Sequence, residues 1–178
     1  MSEEKKVHRL PILKTDHTRF KEIARMVRLP PVEPEKGIQF FPAFDGFETG
    51  TEGAQKIDIS YLWVPWHRGA LNEFDKHPHN EELFIVLQGD FYMIIGASEG
   101  GEHPRLEEMS CYHIHEGDMF VQKWNVWHTA CWPTDPTRPV KYLMILSGHR
   151  TVETGQRLDH NIRPLPNNAA VMPDFGSV

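Results

Sequence analysis

"HPHNEELF", residues 77 to 84, sets two histidines two positions apart and follows them with two adjacent carboxylates, Glu81 and Glu82. Residues two apart on an extended strand share a face, so His77 and His79 project together. Histidine is the commonest metal ligand among side chains and a frequent general base. The stretch runs straight into "ELFIVLQ" (82–88), a short apolar run rich in β-branched and aromatic residues. That composition marks a strand. A site carried on a strand therefore needs a sheet around it.

Further segments of the same kind lie on either side: "IDISYLWV" (57–64), "DFYMIIG" (90–96), "CYHIHE" (111–116), "DMFVQ" (118–122), "VWHTACW" (126–132) and "VKYLMILS" (140–147). Turn residues separate them, as in "QGD" (88–90) and "EGD" (116–118). Short strands at this spacing, with no alternating helices, indicate an antiparallel sandwich or small barrel and exclude a parallel α/β architecture. Before the strands, "TDHTRFKEIARMVRL" (15–29) reads as one short helix, with Phe20, Ile23, Ala24 and Val27 at helical spacing. "PPVEPEKG" (30–37) breaks it, and "IQFFPAFDGF" (38–47) reads as a packed arm or an edge strand. The chain divides into an N-terminal helix and arm (1–56), a barrel (57–147) and a proline-containing C-terminal arm (148–178).

The chain's 178 residues suffice for one domain with a real core. A net charge of -6 argues against nucleic acid, which recruits basic surfaces. No apolar run approaches the ~20 residues of a membrane span, and "MSEEKKVHRL" (1–10) lacks a signal peptide's apolar core. A cytoplasmic protein without a membrane partner is the expectation. Cys111 and Cys131 then read as reduced thiols, and neither has the CxxC neighbour of a cysteine metal site.

Read at longer range, the opening stretch has a partner. Six residues separate Glu82 from Gly89, and "GDMFVQKWNVWH" runs from Gly117 to His128. These resemble the two cupin motifs: HxH, a few residues, Glu, six residues, Gly; then Gly, five residues, Pro, one residue, Gly, two residues, His. Lys123 and Asn125 stand where the second motif usually has Pro and Gly. The resemblance covers roughly residues 57 to 147. It implies an all-β fold, a single cupin jelly-roll barrel (double-stranded β-helix), with the short N-terminal helix and extended arms packed on it. It also implies a metal site of His77, His79, Glu82 and His128. Such a donor set suits a divalent metal ion: Zn, Mn, Fe, Co or Ni.

Which glutamate faces inward has two answers. Strand parity favours Glu81, two after His79. Motif spacing favours Glu82, with a bulge between residues 79 and 82. On the second answer Phe84 and Val86 also point inward and Glu81 stays outside.

A narrower resemblance, carried by "HPHNEELF" and "NVWH" (125–128), is to the ureidoglycolate lyase (ureidoglycolate hydrolase) group of cupins. Glu82 stands where that group commonly has glutamine, and Thr129-Ala130 where it has His-Pro. The resemblance implies a lyase acting on a small-molecule carboxylate, an α-hydroxy or α-keto acid. Ureidoglycolate would give glyoxylate and urea. The glutamate not tied to metal, Glu81, becomes the candidate base, and Lys123 the group that pairs the substrate carboxylate. Other metal cupin activities, such as a dioxygenase or sugar-acid isomerase, and a non-enzymatic ligand-binding cupin are the alternatives. A homodimer is expected, because such barrels often bury an outer sheet against a second copy. His113 and His115 also form an HxH pair, but with Ile114 and Tyr112 toward the core they read as surface residues.

Overall fold

Alternating burial along the central strands shows how the sheets are layered. The computed structural model of the protein describes residues 28–49, 55–78, 80–97, 101–148 and 161–175. Its strands are β1 (Gln39–Thr49), β2 (Gln55–Val64), β3 (Glu73–Phe74), β4 (Asn80–Gln88), β5 (Phe91–Ile95), β6 (Ser110–Ile114), β7 (Met119–Gln122), β8 (His128–Pro133), β9 (Val140–Gly148) and β10 (Arg163–Pro164). They form a five-stranded sheet in the order β1-β2-β9-β4-β7, a three-stranded sheet β6-β5-β8 and a small pair β10-β3. Every strand pairing is antiparallel. The all-β jelly-roll class expected from the sequence is therefore the class observed. The helix expected over 15–29 lies almost wholly outside the described residues. The stretch 39–49 is the edge strand β1, hydrogen-bonded to β2.

The main core lies between the two larger sheets. Val64, Phe84, Val86, Val140, Tyr142, Met144 and Leu146 of the larger sheet meet Phe91, Met93, Ile114 and Cys131 of the smaller. The next residues along β5 and β8, Ile94 and Trp132, point the other way into a second cluster with Phe74, Trp127 and Leu165. The three-stranded sheet is thus covered on both faces along β5 and β8, while β6 at its edge stays largely exposed. Its outer cover includes the returning C-terminal segment. Leu165 is buried, its N–H donates to the Asn72 carbonyl at 2.8 Å, and Val171 bridges Leu71. Burying a leucine side chain of this kind stabilises the fold by about 1.5–3 kcal/mol.

Two motif positions have backbone reasons. Gly89, in the turn from β4 to β5, has φ of 77°, and a Cβ there would lie 3.1 Å from the Pro139 carbonyl oxygen. Both the left-handed backbone and the close approach demand glycine. Asn125, where the family motif usually has glycine, has φ of 60°. Asparagine is among the few other residues that enter this region readily, so the substitution keeps the turn. The Asn125 N–H then donates to the His77 carbonyl at 2.8 Å, which ties the second motif to the first.

Candidate metal centre

Three backbone pairings assemble the site. Asp75 and His128 exchange two N–H···O bonds, each 2.8 Å, as an isolated antiparallel bridge. His77 is anchored through its carbonyl to Asn125. Glu82 lies in β4 directly across from Gln122 of β7. The result brings Asp75, His77, Glu82 and His128 to one wall of a cavity of about 540 Å³.

Glu82 is at the centre of the cluster. Its Oε2 is 3.2 Å from His128 Nε2 and 3.6 Å from His77 Nε2. It is 1% exposed, and this oxygen is buried without a hydrogen bond. Loss of water pushes its pKa up to about 8, and the nearby charge of Asp75 adds to the rise. The His77 and His128 rings lie 5.4 Å apart, centre to centre. Asp75 Oδ2 stands 3.9 Å from His77 Nε2.

The far side of His128 fixes which nitrogen faces Glu82. Its Nδ1 is 3.2 Å from the Val126 carbonyl, which can only accept, and 2.7 Å from the buried Gln122 amide. The structure sets the amide nitrogen at Nδ1; turning the amide end for end gives its buried, unpartnered oxygen a donor and lets the proton sit on Nδ1, where it also faces the Val126 carbonyl. Nε2 then presents a lone pair toward a carboxylate oxygen. Two such atoms at 3.2 Å need either a proton on Glu82 or a cation between them.

The donor set fits a divalent first-row ion. Atoms bound at about 2.0–2.2 Å in a tetrahedron sit about 3.3 Å from one another. The two Glu82-to-imidazole separations bracket that value. Gln122 is placed as the outer partner that orients a ligating imidazole.

Of the site residues expected from sequence, the structure brings together His77, Glu82 and His128, while His79 lies outside the described residues. Glu82 faces inward with Phe84 and Val86, and Glu81 is exposed. The expected bulge near Asn80 is not the cause. Pro78 lies in a turn and β4 begins at Asn80, so strand parity never runs from His77 to Glu82. The bulge in β4 falls between Val86 and Gln88.

The structure places the two expected catalytic residues, Glu81 and Lys123, away from this cavity. Glu81 alternates away from the cavity. Lys123 is exposed beyond the end of β7 and lines a different concavity, of about 440 Å³, with Tyr112, Met119 and Val121. Neither is among the residues lining the cavity at His77 and His128. Tyr112, expected in the core, is also exposed there. Asp75 and Gln122 were missing from the sequence reading. The Asp-x-His spacing of Asp75 and His77 was a usable signal, because both belong to one extended approach to the turn. Gln122 had none, since its pairing with Glu82 and His128 is purely tertiary.

The rest of the cavity is mostly apolar: Phe40, Leu62, Phe84, Met93, Met144 and Ile162. Tyr142 also lines it, its hydroxyl pKa raised well above the ordinary value by burial and then by Cys131 and Glu82. No Lys or Arg lines it among the described residues. Burial pushes the Cys131 thiol up to about 12, which leaves it inert as a nucleophile.

No protein-family model matches the chain, and no curated protein sequence does. Solved structures do resemble it. Peruvianin-I, a cysteine peptidase from Thevetia peruviana latex, shares 13% identity over 78% of this chain and 74% of that one, with a TM-score of 0.50. Bacillus subtilis oxalate decarboxylase, a protein with Mn(II) centres, shares 19% over 64% of this chain and 26% of that one, with a TM-score of 0.46. The cupin domain of Schizosaccharomyces pombe Cnp3 shares 13% over 63% and 65%, with a TM-score of 0.41. At these identities the likeness is one of fold. Among the described residues no helix is long and apolar enough to cross a membrane.

Proposed function

We propose that the chain is a metal-dependent cupin enzyme, a lyase acting on a small α-hydroxy or α-keto acid, with ureidoglycolate as the leading substrate. The observation that carries the metal reading is the buried Glu82 oxygen set between two imidazole nitrogens at the wall of a cavity. The lyase reading rests on the motif resemblance. His77, Glu82 and His128 would hold the ion. When bound, it would supply Lewis acidity that lowers the pKa of a coordinated substrate hydroxyl.

Asp75 replaces Glu81 as the proposed base. It lines the cavity, and its side chain is 24% exposed, so substrate can reach it. In ureidoglycolate its carboxylate would take the hydroxyl proton as the carbonyl forms and the C–N bond breaks. Returning that proton to the departing nitrogen completes urea and restores Asp75. The apolar wall would exclude water from the rest of the substrate. With no lining cation among the described residues, the substrate carboxylate would depend on the metal for its countercharge.

That last feature also favours a second reading, a metal cupin such as a dioxygenase with a more apolar substrate. A thiol chemistry of the kind named for Peruvianin-I finds no support in the inert Cys131. Urea release from ureidoglycolate tests the proposal. It should require added Zn, Mn, Fe, Co or Ni after chelation and be lost in Asp75→Asn. Oxygen uptake with no urea from metal-loaded protein would replace the lyase reading with the dioxygenase.

A further inference from the structure

We propose a second metal site on the surface, formed by Asp90, His113 and His115, which takes an exchangeable divalent cation of the imidazole-preferring kind: Cu, Zn or Ni. It shares no residue with the cluster at Glu82.

The fold places these three side chains together. β6 is an edge strand paired to β5, with Tyr92 across from His113 and Phe91 across from Ile114. The same register sets Asp90, just before β5, across from His115. Ile114 is buried, so alternation turns His113 and His115 to the outer face together. Their rings are 4.2 Å apart, centre to centre. Asp90 Oδ2 is 3.3 Å from His115 Nδ1 and 4.0 Å from His113 Nε2. One donor atom from each residue lies within 4.8 Å of the others.

Asp90 is already oriented for the task. Its Oδ1 accepts the Glu116 N–H at 2.8 Å, which leaves Oδ2 facing the imidazoles. The Asp118 carboxylate accepts the His115 N–H at 2.8 Å and closes the turn. Tyr92 packs against His113 at 4.8 Å between ring centres. Glu116 is otherwise engaged, by the Gly89 N–H and the Arg138 guanidinium. Closing the three donors to the separations of a bound ion takes a shift of about 1 Å, which half-exposed imidazoles make cheaply. Two nitrogens in a set of three disfavour Ca and Mg, and the general order of affinities puts Cu first. Three protein donors on an open face leave further positions to water, so the ion exchanges.

The test is calorimetric titration of chelator-stripped protein with ZnCl2, comparing wild type, His113→Asn/His115→Asn and His128→Ala. Wild type should show a tighter and a weaker class of site. The double variant should lose the weaker class and keep the tighter, and His128→Ala should do the reverse. If the buried site takes no metal, wild type shows a single class that disappears in the double variant, so failure of that reading is separable from failure of this one. A double variant that titrates like wild type overturns the surface site. As a check independent of variants, substoichiometric CuSO4 should broaden backbone amide NMR signals near residues 90–92 and 113–116. Undisturbed signals there would also overturn it.

Discussion

Among the described residues lie two clusters of histidine and carboxylate, and their surroundings treat the same chemical groups in opposite ways. At Glu82, burial removes water and pushes the carboxyl up to about 8. At Asp90, the carboxyl is held below its ordinary value, first by the Glu116 N–H, against the opposing effect of desolvation, and then by His115 and His113. Below its folded value Glu82 avoids the cost of a buried charge by holding a proton; above it the cluster is costly to keep without a cation, since an unpaired buried charge is far less stable than a hydrated one. The exposed cluster is cheap either way. Burial therefore sets which cluster depends on its metal, and the donor list alone does not.

The largest expected effect separates the two directly. His128→Ala should lose the metal of the buried site and all activity, while His113→Asn/His115→Asn keeps both. Elemental analysis and a urea assay on the same preparations check this. If both variants retain full activity, the comparison collapses.

Next comes the pH dependence of the chelator-stripped protein. Glu82 has an ordinary value of 4.5 and a folded value of about 8. Between them the folded chain holds a proton that the unfolded chain has released. Stability should fall as pH rises through this window, by at most about 1.4 kcal/mol per pH unit. Denaturant melts across the window should show the slope, and Glu82→Gln should remove it. Asp90 has the opposite sign: its contribution is present above the ordinary carboxylate range and lost as pH falls.

A smaller effect is expected at Gln122. Gln122→Leu keeps the volume but removes the group that orients His128, so metal affinity at the buried site should drop about 10–100-fold. Competition with a chromophoric chelator measures it, and an unchanged affinity would remove Gln122 from the account. Smallest of all, Asp90→Asn should change the unfolding free energy by no more than about 0.5 kcal/mol, as at other exposed positions. A larger loss in denaturant melts would show that Asp90 is a structural brace.

Much of this contrast was legible in the sequence, and the reasons are physical. Strand periodicity is local, so all seven expected strands form. The spacing from Glu82 to Gly89 located the inward glutamate because Gly89 is pinned by a positive φ and a close carbonyl. What stayed hidden depended on pairing across the fold. Asp75 becomes a site residue through its bridge to His128, and Gln122 through its register with Glu82. Lys123 misled because its place in the motif says nothing about the direction its side chain takes at the end of an edge strand. The parity rule failed at Pro78, where a turn resets the alternation that His77 and Glu81 appeared to share.

On the proposed reading, Glu82 shares a cation with His77 and His128. Anomalous diffraction from crystals soaked in MnCl2 tests it most directly. A peak is expected within bonding distance of both Nε2 atoms and Glu82 Oε2. A featureless map there, with Glu82 hydrogen-bonded straight to His128, would contradict it.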